Sequence, residues 1–542
     1  MIKPLQIWLL VIFSLAVGTA SGQSFRVQCP TSTITHPASL NNNSSEPAYT
    51  GPTALTLGAN GYLVPSANVN GAIKCQQISG GDGFSTMADG TQTFMFSFGP
   101  LSGLADMVNG QPGTQFPNVF NTVYTGTLVP GDPATTDGAS DGSGYVPGTL
   151  GAFTFNGAVG LAPDSDAIAN GTCAAPCLDG HVDPRQIMDV GVMNGNIPAP
   201  LMAIDEDDEF FLTLTNVGMI MRPDLFEQHT VHFHGYPNAS SFYDGVPDAS
   251  IAINIGGSFT YYYLAPDAGT YFWHCHITPP EHLQMGMVGQ LYVRPRQNRV
   301  PVSNSLYTAL QAQQTDLRTA CNSASDILCS NPLPTVKTAS QSTDPLTGQP
   351  YKYAYNDGDG STAYDVEYPL QIHGFDPNFH FVGMTFNPEA FVDMKDKYFL
   401  LNGRSYPDTV TAGPLATQTS DGRSHFSQPL PSIINIPAGG KALLRISDLD
   451  VTEYQTLASL GIPMKVIGLN AKLLRDQAGN NLAYNTNSIT LAGGESLDVI
   501  LDASNTSMYP SGSVFYLYTP NLDHLSNDAE NFGGLMTEVR IN

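Results

Sequence analysis

This 542-residue sequence predicts an all-β protein built from two Greek-key β-sandwich domains. Three observations predict it. Short runs of β-branched and aromatic residues recur between Gly-, Pro- and Asn-rich turns, at a spacing that suits stacked sheets. Charged residues make up only 13% of the chain, which also holds 53 glycines and 40 prolines, the balance of a turn-rich β protein. The order of strands and turns in residues 187–296 then returns in residues 366–542.

Residues 1–22 read as a secretory signal. Lys3 supplies the positive start, Leu5 to Val17 is apolar, and Thr19-Ala20-Ser21-Gly22 offers small residues for cleavage. That run is short for a membrane span and no later segment is long enough. A secreted or periplasmic location without an integral membrane segment is therefore expected. Residues 23–186 read as an N-terminal extension, irregular over residues 23–85, with an inserted lobe over residues 100–186. Within them Thr91–Phe98 alternates polar and apolar residues and predicts a strand, a candidate first strand of the sandwich that follows.

Residues 187–296 form the first sandwich. Phe210–Asn216, Ser258–Leu264, Gly269–His276 and Gly289–Val293 are its predicted strands. The acidic run Asp205–Glu209 at a strand entry is expected to be a solvated turn, because unpaired charge runs face water. Residues 297–365 are a polar linker. In residues 366–542, the turn Asn402–Pro407 answers Asn194–Pro200. Gly493–Asp498 answers Gly256–Tyr261, and Gly512–Thr519 answers Gly269–His276.

The formal charge of −26 excludes nucleic acid and anionic membranes as partners and favours cations or simple solubility. Of seven cysteines, six besides Cys275 remain: Cys29, Cys75, Cys173, Cys177, Cys321 and Cys329. Export makes disulfides plausible. Nearness in sequence suggests Cys173–Cys177 and Cys321–Cys329, leaving Cys29 with Cys75, but six cysteines allow many connectivities. Metal binding by Cys173 and Cys177 near His181 is the alternative.

The chemistry concentrates in Gly269–Met287, which holds His274, Cys275, His276, His282, Met285 and Met287. About forty residues upstream, a separation that suits adjacent strands of one sandwich, lie His229, His232 and His234. Together these two clusters hold six of the twelve histidines. Two imidazoles and a thiolate with a weak axial thioether are the preferred donors of blue copper. His229, Cys275 and His282 supply the first three, and Met287, with Met285 as fallback, the fourth. Zinc is the runner-up metal, but its structural sites more often use several cysteines. Side chains alternate along a strand. Cys275 thus points to one face and His274 and His276 to the other, and His232 and His234 likewise share a face. An electron accepted at the thiolate site has a short covalent path to the four imidazoles.

At His-x-x-His-x-His-Gly (229–235) and His-Cys-His…His…Gly-Met (274–287), the sequence resembles the multicopper oxidases and their cupredoxin relatives. The resemblance covers about residues 187–542. It implies two cupredoxin domains, with His229, Cys275, His282 and Met287 as type 1 copper ligands. It implies His232, His234, His274 and His276 as catalytic and metal-binding residues, one half of the type 2/type 3 centre that reduces O2. It further implies a small reductant, either a metal ion such as Fe(II) or Mn(II) or a phenol, and a homo-oligomer as one possible state. Two departures stand out. Pro279-Pro280-Glu281 lengthens the gap from Cys275 to His282 by two residues, so the loop is expected to be reshaped with the ligand retained. Glu281 is then either an outer-sphere contact for a cation or a surface carboxylate. In the second domain, the ligand positions fall on Leu517, Tyr518 and Thr519, and on Ile462, Lys465 and Ile467, so that copy lacks copper ligands. Among the other histidines, His373, His380, His425 and His524 are scattered and expected to be structural, although His373 and His380 could approach a domain interface. A blue copper electron carrier and a nitrite-reductase-like enzyme stay as alternatives. The latter branch carries Asp where this chain has His232.

Overall fold

The computed structural model describes residues 32–37, 47–100, 197–315, 332–383 and 390–542, apart from short gaps at 60, within 220–226, and at 236–239, 256, 266, 414, 419–423, 429 and 529. The signal-like segment, most of the inserted lobe, and Cys29, Cys173, Cys177, Cys321 and Cys329 lie outside them. Among the described residues no helix is long and apolar enough to cross a membrane.

Strands β1 (Ala54–Leu57) and β2 (Leu63–Ala67) form an outlying hairpin. The first sandwich begins with β3 (Ile73–Thr86) and β4 (Gln92–Pro100), followed by β5 (Met202–Asp205), β6 (Glu209–Gly218), β7 (His232–Phe233), β8 (Ser258–Leu264), β9 (Gly269–His274) and β10 (Val288–Arg294). One sheet runs β4-β3-β6-β8 and the other β5-β10-β9-β7. Between them pack Ile78, Phe98, Phe210, Leu212, Phe233, Tyr263 and Trp273. Phe98 stacks on Trp273 with ring centroids 5.3 Å apart, and Phe233 meets Tyr263 edge-on at 4.7 Å. Offset and edge-on geometries are the ones aromatic quadrupoles favour.

The second sandwich repeats this plan. Its seven-stranded sheet is centred on Val366–Phe375, Lys441–Asp448, Ser496–Asp502 and Met464–Leu469. Its five-stranded sheet holds Ile434–Ile436, Met536–Ile541, Val514–Tyr518, Gln455–Leu460 and Ser488–Leu491. The parallel pairs match across the two copies. β3 lies parallel to β6 as Val366–Phe375 does to Lys441–Asp448, and β5 to β10 as Ile434–Ile436 does to Met536–Ile541.

This match corrects the expectation that residues 23–85 form an irregular extension. β3 is an interior strand of the first sandwich, although its sequence has no clean period. Lys74, Gln76, Ser79 and Asp82 are all buried in it. Polar residues on covered faces, together with glycines, erase the alternation that marks a half-exposed strand.

The acidic run is corrected as well. Asp205 through Glu209 are all buried. Asp207 accepts a bidentate pair from Arg296 at 2.6 and 2.8 Å. Glu206 accepts from the Arg296 and Ala268 amides and from Asn356. Asp208 accepts from the Ala72 and Asp205 amides. Burial alone would raise the Glu209 carboxyl, but hydrogen bonds from His36, neighbouring threonines and Tyr262 hold it down at about 2. The partners come from distant segments, so local sequence could not show that the charges are paired. Arg296→Ala strands buried carboxylates, and is expected to cost about 3–5 kcal/mol in a denaturant titration.

The two sandwiches meet along β9 and β10. Thr270 Oγ1 donates to Asp498 at 2.6 Å, and Ser496 Oγ donates to the Thr270 carbonyl at 2.6 Å. Gln290 Nε2 donates to the Arg445 carbonyl and to Ser447, both at 2.9 Å. The strands that carry the histidine and cysteine motifs are therefore braced by the second sandwich.

Candidate metal centre

The register of β7 on β9 sets the site. His232 lies opposite His274 and Phe233 opposite Trp273, while the His234 amide donates to the Phe272 carbonyl at 2.8 Å. The aromatic pair enters the core and the histidines take the other face, as alternation requires.

On the core side, Cys275 is fully buried. Its Sγ accepts from the Thr230 amide at 3.4 Å. The ligand atoms of His229, Cys275 and His282 lie within 4.8 Å of one another. Both buried ring nitrogens of His229 lack a hydrogen-bond partner, and those of His282 have no protein contact tighter than the 3.4 Å approach of the Glu227 carboxylate to Nε2. An unsatisfied buried polar atom costs about 1–3 kcal/mol. Two such rings facing a thiol form a donor set that suits copper. The Met287 amide donates to the His282 carbonyl and the Met287 carbonyl accepts from the Cys275 amide, both at 2.9 Å. Met287 is thus tied to two members of the site. Met285 is equally buried, at the end of the intervening turn.

His229 needs a glycine beneath it. A Cβ on Gly80, in β3, would stand 2.4 Å from the His229 ring. Phe96 from β4 meets the His282 ring edge-on at 5.2 Å. Gly80 comes from the stretch expected, on sequence, to be an irregular extension, and Phe96 from the strand expected near residues 91–98.

The two residues that lengthen the loop are wound into one turn of helix, α1 (Pro279–Gln284). Proline is tolerated there because first-turn amides have no helical acceptor. Burial pushes the His282 imidazole down, but the Cys275 thiolate and the Glu227 carboxylate outweigh it and raise it to about 9. Glu227 is a residue that sequence alone did not reveal. Its carboxylate stands 3.4 Å from His282 Nε2, at ion-pair range though too long for a good hydrogen bond. Its one local signal was its position two residues before His229. Glu281 is half-buried, and burial and the Glu227 charge outweigh the pull of His282, so its carboxyl is raised.

On the opposite face four imidazoles gather. His234 Nε2 is 3.0 Å from His274 Nε2. His232 lies 5.3 Å from His234 and 5.5 Å from His274 between ring centroids. His276 stacks near His274 at 5.5 Å and lies 5.2 Å from His232. Nδ1 of His232 donates to the Asp244 carbonyl, and Nδ1 of His274 to the Cys275 carbonyl, both at 2.6 Å. Such bonds place the ring proton on Nδ1 and leave the Nε2 lone pair for a metal or, as at His274, for a neighbouring imidazole. Burial and neighbouring imidazoles hold His234 down at about 4 and His274 well below its usual range, so both are neutral at pH 7. Donor atoms of His232, His234 and His274 fall within 4.8 Å of one another, with His276 beside them.

The second sandwich brings no matching set among the described residues. Gly494 is what it presents to His234, since a Cβ there would stand 2.9 Å from His234 Nδ1. Leu517 and Ile462, where ligands would fall, sit in that sandwich's apolar core. His373 and His380 bond to Gln284 of α1. His524 bonds to Gln455 and Glu453. The His425 side chain lies outside the described residues. Among the described residues, the four imidazoles of this cluster thus all come from the first sandwich.

Residues 179–298 match the sequence profile of the multicopper oxidase family. The chain is 31% identical over 128 residues to "Laccase abr2" of Aspergillus fumigatus, covering 23% of this chain and 20% of that protein. It is 34% identical over 112 residues to "Multicopper oxidase MCE" of Talaromyces pinophilus, covering 20% and 17%. It thus spans about a fifth of the length of these curated relatives. Among solved structures, the blue copper oxidase from Nitrosomonas europaea aligns with a TM-score of 0.41 at 21% identity, over 64% of this chain and 78% of that one. A buried thiol lies between two imidazoles on one face and four imidazoles gather on the other, and the segment that holds them all, residues 179–298, is the part of the chain that matches the multicopper oxidase profile.

Proposed function

We propose that this protein is an exported copper-dependent oxidoreductase. It accepts single electrons near His282 and delivers them to O2 at the imidazole cluster. One observation carries the reading: Cys275 and its two flanking histidines serve opposite faces of one strand end, with the ligand atoms of His229 and His282 converging on the thiol. In this reading His229, Cys275, His282 and Met287 hold a type 1 copper, and His232, His234, His274 and His276 hold the second centre. Bound copper supplies the one-electron chemistry at both. The chain supplies the connection, because the Cys275 carbonyl accepts from His274 Nδ1, joining the two faces through one residue. Burial of Cys275 keeps water from the thiolate. A homo-oligomer that brings imidazoles from another copy belongs to the same reading.

The donor in this reading is a divalent cation such as Fe(II) or Mn(II). Glu227 and Glu281 flank His282, and a net charge of −26 raises the local concentration of cations. A neutral phenol gains no charge attraction from either carboxylate. Glu227→Gln is expected to lower kcat/KM for Fe(II) about 3–10-fold at low salt, the order of one unscreened surface charge, and to leave phenol oxidation unchanged. Equal losses for both donors would rule out the cation preference.

The electron-carrier alternative is favoured by the half set of imidazoles. Copper counting with electron paramagnetic resonance and oxygen uptake separates the two. A blue copper plus histidine-bound copper with oxygen consumption supports the oxidase. One blue copper per chain and no uptake sinks it.

A further inference from the structure

We propose that His373, His380 and Asp396 of the second sandwich are positioning residues for the thiolate copper site, acting through Gln284. The proposal rests on the copper reading of His229, Cys275 and His282. Gln284 lies two residues after His282 and three before Met287, and it is fully buried. The hydrogen bonds of its carbonyl and side-chain amide to the second sandwich form a closed set. Its carbonyl accepts from His373 Nε2 at 3.0 Å. Its Oε1 accepts from the Asp376 amide at 3.1 Å and from His380 Nε2 at 3.0 Å. Its Nε2 donates to Asp396 Oδ1 at 2.5 Å.

The groups that grip it are themselves anchored. The His380 ring lies flat on Phe375, 5.1 Å away at 8°. The Asp376 side chain accepts from the Asn378, Phe379 and Lys395 amides. Asp396 accepts from Thr452 and lies over Gly374, where a Cβ would stand 2.1 Å from its Oδ2.

Helix α1 needs such a clamp. It is six residues long and starts with two prolines, and its Thr278 N-cap makes no side-chain capping bond. An isolated helix of that length does not hold its shape. Yet it carries His282, whose ring must sit against Cys275 within a few tenths of an ångström to act as a ligand. In the second sandwich Leu517 and Ile462 fill two of the ligand positions with apolar core, and two of its histidines are hydrogen-bond donors to this loop. Outer-shell partners of this kind orient a ligand, and their loss typically costs about 10–100-fold in metal affinity.

The test uses the full chain titrated with Cu(II) alone. It reads the thiolate-to-copper absorption band and the copper dissociation constant by chelator competition, beside thermal unfolding of the metal-free protein. His380→Phe keeps a ring on Phe375 and removes the donor. It is expected to weaken copper binding about 10–100-fold and to change the position or intensity ratio of the band. His380→Gln retains an N–H donor and is expected to restore most of both. Should His380→Phe fail to fold, Gln284→Met, nearly isosteric, carries the same expectation. A wild-type band and affinity in Gln284→Met or His380→Phe, with only the unfolding temperature lowered, would overturn the clamp and leave the copper site standing. A wild-type chain that shows no thiolate band would overturn the copper reading itself, and the clamp with it.

Discussion

Cys275→Ser is expected to abolish the intense visible absorption of the copper-loaded protein while the chain still folds. The band comes from charge transfer between a thiolate sulfur and copper, and a hydroxyl offers a hard, protonated oxygen in its place. Cys275 is fully buried and its Sγ accepts from the Thr230 amide at 3.4 Å. A serine oxygen is smaller and can keep that acceptor role, so the metal-free fold should survive with a loss of about 1 kcal/mol or less from the changed polarity. Absorption and electron paramagnetic resonance after copper loading, with unfolding of the apo-protein as control, check this. Colour retained in the serine variant would show that the thiolate site has been assigned to the wrong residues.

The double change His274→Ala with His276→Ala is expected to have the opposite signature. The coloured site should persist, because His229, Cys275 and His282 form it without either residue. Oxygen-coupled turnover should fall to background. His274 is the member that meets His234 at 3.0 Å, and its removal leaves His232 and His234 without a third donor. Steady-state oxygen uptake and the visible spectrum, measured on one preparation, decide the matter. Loss of colour with turnover retained would reverse the roles of the two faces. The double variant also separates electron entry from electron delivery, since one-electron reduction of the coloured copper by a small reductant should continue in it.

These two expectations draw on the part of the protein that was readable from the chain alone. Alternation along a strand is a local rule, so His274, Cys275 and His276 divide between two faces wherever the strand lies. The β7–β9 register then places His232 against His274 as that alternation requires. The repeat of turns and strands was equally local, and both sandwiches follow it. The expectation that His373 and His380 are scattered and structural holds in part: they sit at the domain interface and hold a loop.

What the chain alone did not show depends on partners far apart in sequence. β3 hid its strand character because both faces are covered, and Gly80 became intelligible only when the His229 ring was found lying on it. The acidic run Asp205–Glu209 looked solvated until Arg296, Asn356 and His36 were found around it. Beyond lying two residues from His229 and His282, Glu227 and Gln284 carry no local mark that separates them from ordinary surface glutamates and glutamines. Sequence by itself therefore determined which side chains face together on a strand and which donors are present, because covalent geometry sets both. Tertiary structure alone decided which charges are paired, which glycine makes room for a ring and what steadies the copper loop, because each depends on groups brought within a few ångströms only by the packing of the whole chain.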